Sequence, residues 1–203
     1  MHLRLRLSVI LLCAAAVSTA AAPYPEQPAQ KPVRSKSIRS SGGPGTPATL
    51  DGLWNLADMV ALVEVASASP HNTSIVTQQG TPFTDVQTLF ACNLIETFKS
   101  PDAQPPTSVD ILLLGGTRDR GDHIEETTNE RLRPLRVGSR YVVFLRHFPD
   151  LRVFKPITAD ANSFLRVNGA AITSDGDSPL VLKLKGQPLD SVLSELRRLK
   201  GGR

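Results

Sequence analysis

Residues 59–66 read Met-Val-Ala-Leu-Val-Glu-Val-Ala, an apolar run interrupted by one charge at Glu64. Valine favours β-strands because its branched side chain packs well on a pleated surface. The run has the length of a buried strand and is short for a buried helix. It therefore predicts a strand in the core of the protein.

The chain on the carboxyl side of this run carries further strand signals. From residue 83 to 99, a period of two places one set of side chains on a common strand face: Val86, Thr88, Phe90, Cys92 and Leu94. Asn168-Gly169 between apolar runs predicts a hairpin turn. The other predicted strands cover residues 109–114, 141–148, 151–154, 163–167 and 171–173, with an edge strand at 180–184.

Two helices are predicted beside the strands. A short one covers residues 52–57, and an amphipathic one covers 188–200, with helical spacing at Leu189, Val192, Leu193, Leu196 and Leu199. Short strands with one helix before them and one after them predict a mainly β protein. We expect a small OB-like β-barrel with a short N-terminal helix and a C-terminal amphipathic helix. A β-sandwich fits the same strand count.

The amino terminus has the three parts of a secretory signal peptide. Arg4 and Arg6 precede an apolar run at 7–17, and small residues follow at 18–22. The apolar run is shorter than the roughly 20 residues that span a bilayer as a helix. We predict a signal peptide over 1–22, cleaved after Ala20, Ala21 or Ala22, and no membrane span after cleavage. The product is expected to be periplasmic or secreted.

A proline-rich segment follows the predicted signal peptide. Residues 23–48 contain six prolines, with serine, glycine and basic residues between them and little that is apolar. Such a composition buries too little surface to offset the entropy of ordering, which predicts a disordered linker. The remaining residues, 49–203, are expected to form one β-rich domain.

The positive charge of the chain lies mostly before this domain. The whole chain has 23 Lys and Arg against 19 Asp and Glu, but residues 49–203 contain 17 basic and 18 acidic residues. The domain is therefore almost neutral, and its charge gives no support for nucleic-acid binding. Cys92 is the only cysteine after the signal peptide, so no internal disulfide is possible and a buried, inert thiol is expected.

Four short motifs support a resemblance to a known fold. They are Leu56-Ala57-Asp58-Met59-Val60, Phe83-Thr84-Asp85-Val86, the run at 137–145 and the run at 162–167. In their order, residues 53 to about 174 resemble exported bacterial proteins of unknown function with a netrin-like, or tissue-inhibitor-of-metalloproteinase-like, barrel of the OB type. The metalloproteinase inhibitors of that class use an amino-terminal cysteine and disulfides. This chain has neither, so the resemblance implies a fold and no inhibitory residue.

The densest polar cluster lies at residues 118–126. Its Asp119, Asp122, His123 and Glu126 are candidate ligands for a divalent cation, since carboxylate and imidazole groups suit such ions. The spacing matches no metal-binding motif, and arginines at 118 and 120 oppose the acids. A solvated loop is the alternative interpretation, and no cofactor is predicted.

Arginines follow this loop closely. Arg131, Arg133, Arg136 and Arg140 are candidate anion-binding residues, because guanidinium groups bind carboxylate and phosphate in a bidentate way. The sequence contains no nucleophile elbow, phosphate loop or zinc-protease motif. It therefore favours a binding module without enzymatic activity.

We expect that module to use the loops at 67–82 and 115–137, which are rich in polar residues. The expected partner is another envelope or secreted protein, or an anionic glycan. Two alternatives remain open at this point. One is a metal-dependent hydrolase that uses the acidic loop, and the other is a purely structural envelope protein.

Overall fold

A computed structural model describes residues 30–38, 47–76, 82–158, 161–174 and 178–202. The chain divides into two units, residues 1–30 and residues 31–203, and the fold presented below is that of the second unit. The predicted signal peptide and most of the predicted linker lie outside the described residues. None of the helices in the described ranges is long and apolar enough to cross a membrane.

The described chain contains twelve strands and three α-helices. The strands are β1 Val33–Ile38, β2 Met59–Pro70, β3 Thr73–Val76, β4 Pro82–Asp85, β5 Gln87–Lys99, β6 Ser108–Leu114, β7 Gly116–Asp119, β8 Ile124–Asn129, β9 Arg140–Phe148, β10 Val153–Pro156, β11 Phe164–Asn168 and β12 Ala171–Ile172. The helices are α1 Leu50–Leu56, α2 Pro179–Leu184 and α3 Leu189–Gly201, and short 3₁₀ turns cover Pro149–Leu151 and Ala161–Ser163.

Five of these strands form a closed barrel. Their order is β10-β6-β5-β2-β9, and β10 also pairs with β9, which completes the circle. The closing contact between β10 and β6 is parallel and joins Phe154 to Ile111. The predicted small barrel is confirmed. Strands β11 and β12 extend the sheet beyond β9, with the Asn168-Gly169 turn between them as the sequence predicts.

Residues 59–63 of β2 and 141–145 of β9 are buried on both faces, because alternate residues belong to two different clusters. One phase of β2, which includes Met59, Ala61 and Val63, packs inside the barrel. The other phase, Val60 and Leu62, packs outside the barrel against the helices. Two-sided burial explains why these strands read as continuous apolar runs instead of alternating ones.

The helices cover the outer face of β2, β9 and β11. Helix α3 buries all five residues of its predicted apolar stripe in the outer cluster. Its polar side is also anchored: Arg197 donates two hydrogen bonds to Glu96 on β5, at 2.7 and 2.8 Å, and Lys200 Nζ donates to the Thr97 carbonyl at 3.0 Å. The predicted C-terminal helix is thus confirmed as part of the folded core.

The structure corrects several sequence predictions about local structure. The predicted strand at 83–99 is two strands, β4 and β5, separated at Val86. Residues 67–82 are not only turns, because β2 continues to Pro70 and the β3–β4 hairpin follows. Residues 180–184 form helix α2 instead of an edge strand, because the Ser178 hydroxyl accepts a hydrogen bond from the Val181 N–H at 3.1 Å and caps a helix.

The polar segment at 117–137 is not an irregular loop throughout, because it contains the β7–β8 hairpin. The sequence of this hairpin shows no alternation of apolar and polar residues. The reason is that the two strands bury only one residue, Thr127, which is polar. Gly115 and Gly116, with φ of 108° and 142°, let the chain pass from β6 into β7. A Cβ at Gly116 would lie 2.4 Å from Thr88 Oγ1.

Part of the segment predicted as a disordered linker is a strand. Residues 33–38 form β1, which pairs in parallel with β8 and makes a three-stranded sheet with β7. The sequence hides this strand because its side chains 33–37 are all exposed, so the pairing depends on the main chain and not on an apolar pattern.

Candidate anion-binding site

The segment 131–137, here named the barrel-end segment, connects β8 to the turn before β9. Leu132 and Leu135 are each 5% exposed and belong to the cluster inside the barrel. The backbone N–H of Arg136 donates to the Tyr141 hydroxyl at 3.0 Å, which ties the segment to β9. Two leucine anchors and this hydrogen bond therefore fix the backbone that carries Arg133 and Arg136.

A cavity of about 250 Å³, here named the arginine cavity, lies beside this segment. Three arginines line it: Arg133 and Arg136 from the barrel-end segment and Arg166 from β11. Its other lining residues are Leu132, Pro134, Leu135, Tyr141, Phe164 and Ser174. Among the described lining residues there is no carboxylate, so the cavity wall carries positive charge on a mostly apolar surface.

Arg166 is the most unusual residue in the cavity. It lies opposite Tyr141 in the β11–β9 register, and a period of two places it on the same strand face as Phe164, which packs inside the barrel. The side chain is partly buried, and its Nε is fully enclosed without a hydrogen-bond partner. An enclosed N–H donor without a partner costs free energy, because its desolvation is not offset. Violations of local packing rules of this kind are expected at functional sites.

The four predicted arginines do not act as one set. Arg133 and Arg136 line the cavity and Arg131 does not, although all three residues are exposed. Arg140 has a structural contact instead, since its Nη2 donates to the Gly169 carbonyl at 2.9 Å in the β11–β12 turn. Sequence reasoning missed Arg166. The signal that could have found it is its phase, because an arginine two residues after the inward-facing Phe164 breaks the alternation.

The four candidate metal ligands lie on the β7–β8 hairpin and are bonded to other groups. Lys31 Nζ donates hydrogen bonds to both carboxylate oxygens of Asp119, at 2.7 and 2.8 Å. The Ser35 hydroxyl donates to a carboxylate oxygen of Glu126 at 3.2 Å. Asp122 Oδ1 and His123 Nδ1 are 2.6 Å apart. The ammonium of Lys31 lowers the pKa of Asp119, and the His123 ring lowers the pKa of Asp122.

These acids do not converge on a common point. Within the ranges that the structure describes, no group of three His, Cys, Asp or Glu side chains could hold a metal ion. The hairpin therefore offers a row of exposed carboxylates instead of the predicted ligand cluster.

A second cavity of about 350 Å³ lies at the end of the barrel and shares Leu132, Pro134 and Leu135 with the arginine cavity. Phe90 and Leu113 provide apolar surface in it, and Glu126 provides a carboxylate. Its other lining residues include several from 68–70 and 113–135, so it includes parts of both loop regions predicted to bind a partner.

Cys92 lies inside the barrel, where it is 1% exposed. Burial, together with the nearby charge of Asp110, raises the pKa of its thiol to about 12. Because the thiolate is the reactive form, we expect the native thiol to react with a disulfide reagent at pH 8 at least about 100-fold more slowly than the thiol of the unfolded chain.

This prediction can be measured in a Cys13→Ser background by absorbance, with and without denaturant. Rapid labelling of the native protein would show that the barrel opens around β5.

Comparison of the chain with protein-family models and with curated proteins finds no match. The netrin-like resemblance therefore stays a prediction.

Proposed function

We propose that the protein is an exported binding module without enzymatic activity, and that it holds an acidic group of an anionic glycan in the arginine cavity. Arg136 and Arg166 carry this proposal. Both line the same cavity, and the Nε of Arg166 is enclosed there without a hydrogen-bond partner. Guanidinium groups provide the donors that carboxylate, sulfate and phosphate oxygens accept.

The size of the cavity supports recognition of one group on a longer partner. At about 250 Å³ it lies below the roughly 300–1,000 Å³ typical of pockets that enclose a small molecule. The apolar wall, which includes Tyr141, Phe164 and Pro134, suits the C–H face of a sugar ring. A uronic acid or a sulfated sugar combines such a face with an acidic group, which favours a glycan over an isolated ion.

Arg166→Met provides the test, because methionine keeps most of the side-chain length and removes the charge. Loss of one charge-assisted hydrogen bond costs about 1.5–3 kcal/mol, so we expect the dissociation constant for an oligogalacturonate to rise about 10- to 100-fold. Thermal stability without ligand is expected to stay equal or to increase, because the substitution removes an enclosed N–H donor that has no hydrogen-bond partner. Isothermal titration calorimetry and thermal melting measure the two quantities.

Arg131→Met is the control, since it makes the same substitution in the barrel-end segment and removes one charge outside the cavity. We expect it to change the dissociation constant less than about two-fold, in line with the small effect of screened surface charges. Equal losses in the two variants would show non-specific attraction and contradict the site. A neutral oligosaccharide of the same length and a poly-glutamate peptide are the control ligands. If the peptide bound more tightly than the oligogalacturonate, the partner would be an acidic protein and not a glycan.

A further inference from the structure

Strand β1 lies on the edge of β8 along its full length. The pairing is parallel and joins six residues of each strand, from Val33 with Ile124 to Ile38 with Asn129. The Ile124 N–H donates to the Pro32 carbonyl at 3.0 Å, which starts the ladder. In the parallel pattern that follows from this bond, the N–H groups of residues 34, 36 and 38 point toward β8.

The basic side chains of this segment are complementary to the acidic side chains of the β7–β8 hairpin. Lys31 binds Asp119, Ser35 donates to Glu126 and Ser37 donates to Glu130 at 2.9 Å. Arg34 contributes to the field that lowers the pKa of Asp122. Three carboxylates on or next to the hairpin, those of Asp119, Glu126 and Glu130, thus bind an extended, basic chain with small hydroxyl residues.

The interaction lacks the apolar burial that makes most strand pairings permanent. Residues 31–37 are all exposed, and the Val33 side chain is 60% exposed. The ion pair between Lys31 and Asp119 is also at the surface, where such pairs contribute little. Main-chain hydrogen bonds therefore hold β1, and another chain of the same chemistry provides the same bonds.

We propose that the edge of β8 is a strand-addition site for an extended basic segment of a partner protein, and that residues 31–38 occupy it as a built-in competitor. Peptides commonly add to sheet edges in this way, with affinity from main-chain bonds and specificity from alternate side chains. This site shares no residue with the arginine cavity and has the opposite charge. The tether gives the internal segment a high effective concentration, which weakens the apparent affinity of any external peptide.

The experiment uses the full-length chain and a fluorescent peptide with the sequence of residues 30–39, Gln-Lys-Pro-Val-Arg-Ser-Lys-Ser-Ile-Arg. Arg34→Pro together with Lys36→Pro removes two N–H donors that point toward β8 and displaces the internal strand. We expect the peptide to bind this variant at least about ten-fold more tightly than it binds the unmodified chain, because the competitor is gone. Fluorescence anisotropy measures the affinity.

The matched control is Arg34→Gln together with Lys36→Gln, which removes the same two charges and keeps the N–H donors. It is expected to bind the peptide no more than about three-fold better than the unmodified chain, because exposed charges contribute little. A peptide with the reversed sequence is expected not to bind, because it keeps the composition and loses the parallel register.

Three results would overturn the proposal. The first is equal peptide affinity in the proline variant and the unmodified chain, and the second is equal binding of the reversed peptide. The third is a concentration-dependent dimer of the unmodified chain that the proline variant loses, which would make residues 31–38 of a second copy the occupant. Light scattering during the titration separates this third result from peptide binding.

Discussion

Replacement of Phe144 by alanine is expected to lower the free energy of unfolding by about 3–5 kcal/mol, the range for a large aromatic residue removed from a packed core. Phe144 lies on β9 and is 0% exposed. Its ring belongs to the cluster between the barrel and the helices, together with Trp54 and Leu196. Removal of the ring leaves a void between the barrel and the helices that the packed elements around it cannot fill.

Phe148→Ala is the control, on the same strand four residues later. Phe148 is 36% exposed, and its ring receives Lys155 Nζ at 4.9 Å from the centroid. We expect a loss of about 1 kcal/mol, the size of an exposed cation–π contact. Urea unfolding followed by the fluorescence of Trp54, the single tryptophan of the chain, measures both variants. Equal losses would contradict the packing of the helices on β9.

Leu196→Ala is expected to have the second largest effect, a loss of about 2–5 kcal/mol, because it removes a fully buried side chain at the centre of α3. The helix joins the outer cluster through one apolar stripe, so the loss destabilises its contact with β2 and β9. We expect circular dichroism and Trp54 fluorescence to report the same transition, because the helix and the barrel unfold together.

Leu182→Ala is the matched control for this variant. Leu182 lies on α2 and is 58% exposed, so its replacement is expected to change stability by less than about 0.5 kcal/mol. If the helical signal of the Leu196 variant disappeared before the fluorescence transition, α3 would be a separate unit and not a layer of the core.

Local sequence patterns were sufficient to predict most of the helices and strands that bury apolar side chains. The five apolar positions of α3 follow a helical period, and the structure buries all of them. The run at 59–66 became a strand buried on both faces, and Asn168-Gly169 became a hairpin. The run at 180–184 was ambiguous, because a short apolar segment has no period that separates a strand from a helix.

Strands that bury few side chains have no apolar period in the sequence from which they could be predicted. Strand β1 and the β7–β8 hairpin depend on main-chain bonds and surface charges, so polar composition predicted a linker and a loop in their place. For a related reason, the sequence predicted only part of the candidate site. Arg133 and Arg136 stand out as neighbours in the sequence, but Arg166 lies 30 residues beyond Arg136.

Apolar periods were enough to predict most of the core, because burial of apolar surface imposes a period of two on strands and 3.6 on helices. The closure of the sheet and the meeting of three arginines at one cavity do not follow from such local periods. The closure depends on the contact between Phe154 and Ile111, and the cavity depends on the register that places Arg166 opposite Tyr141. Both are pairings between distant segments, and their partners are chosen by the packing of the whole barrel.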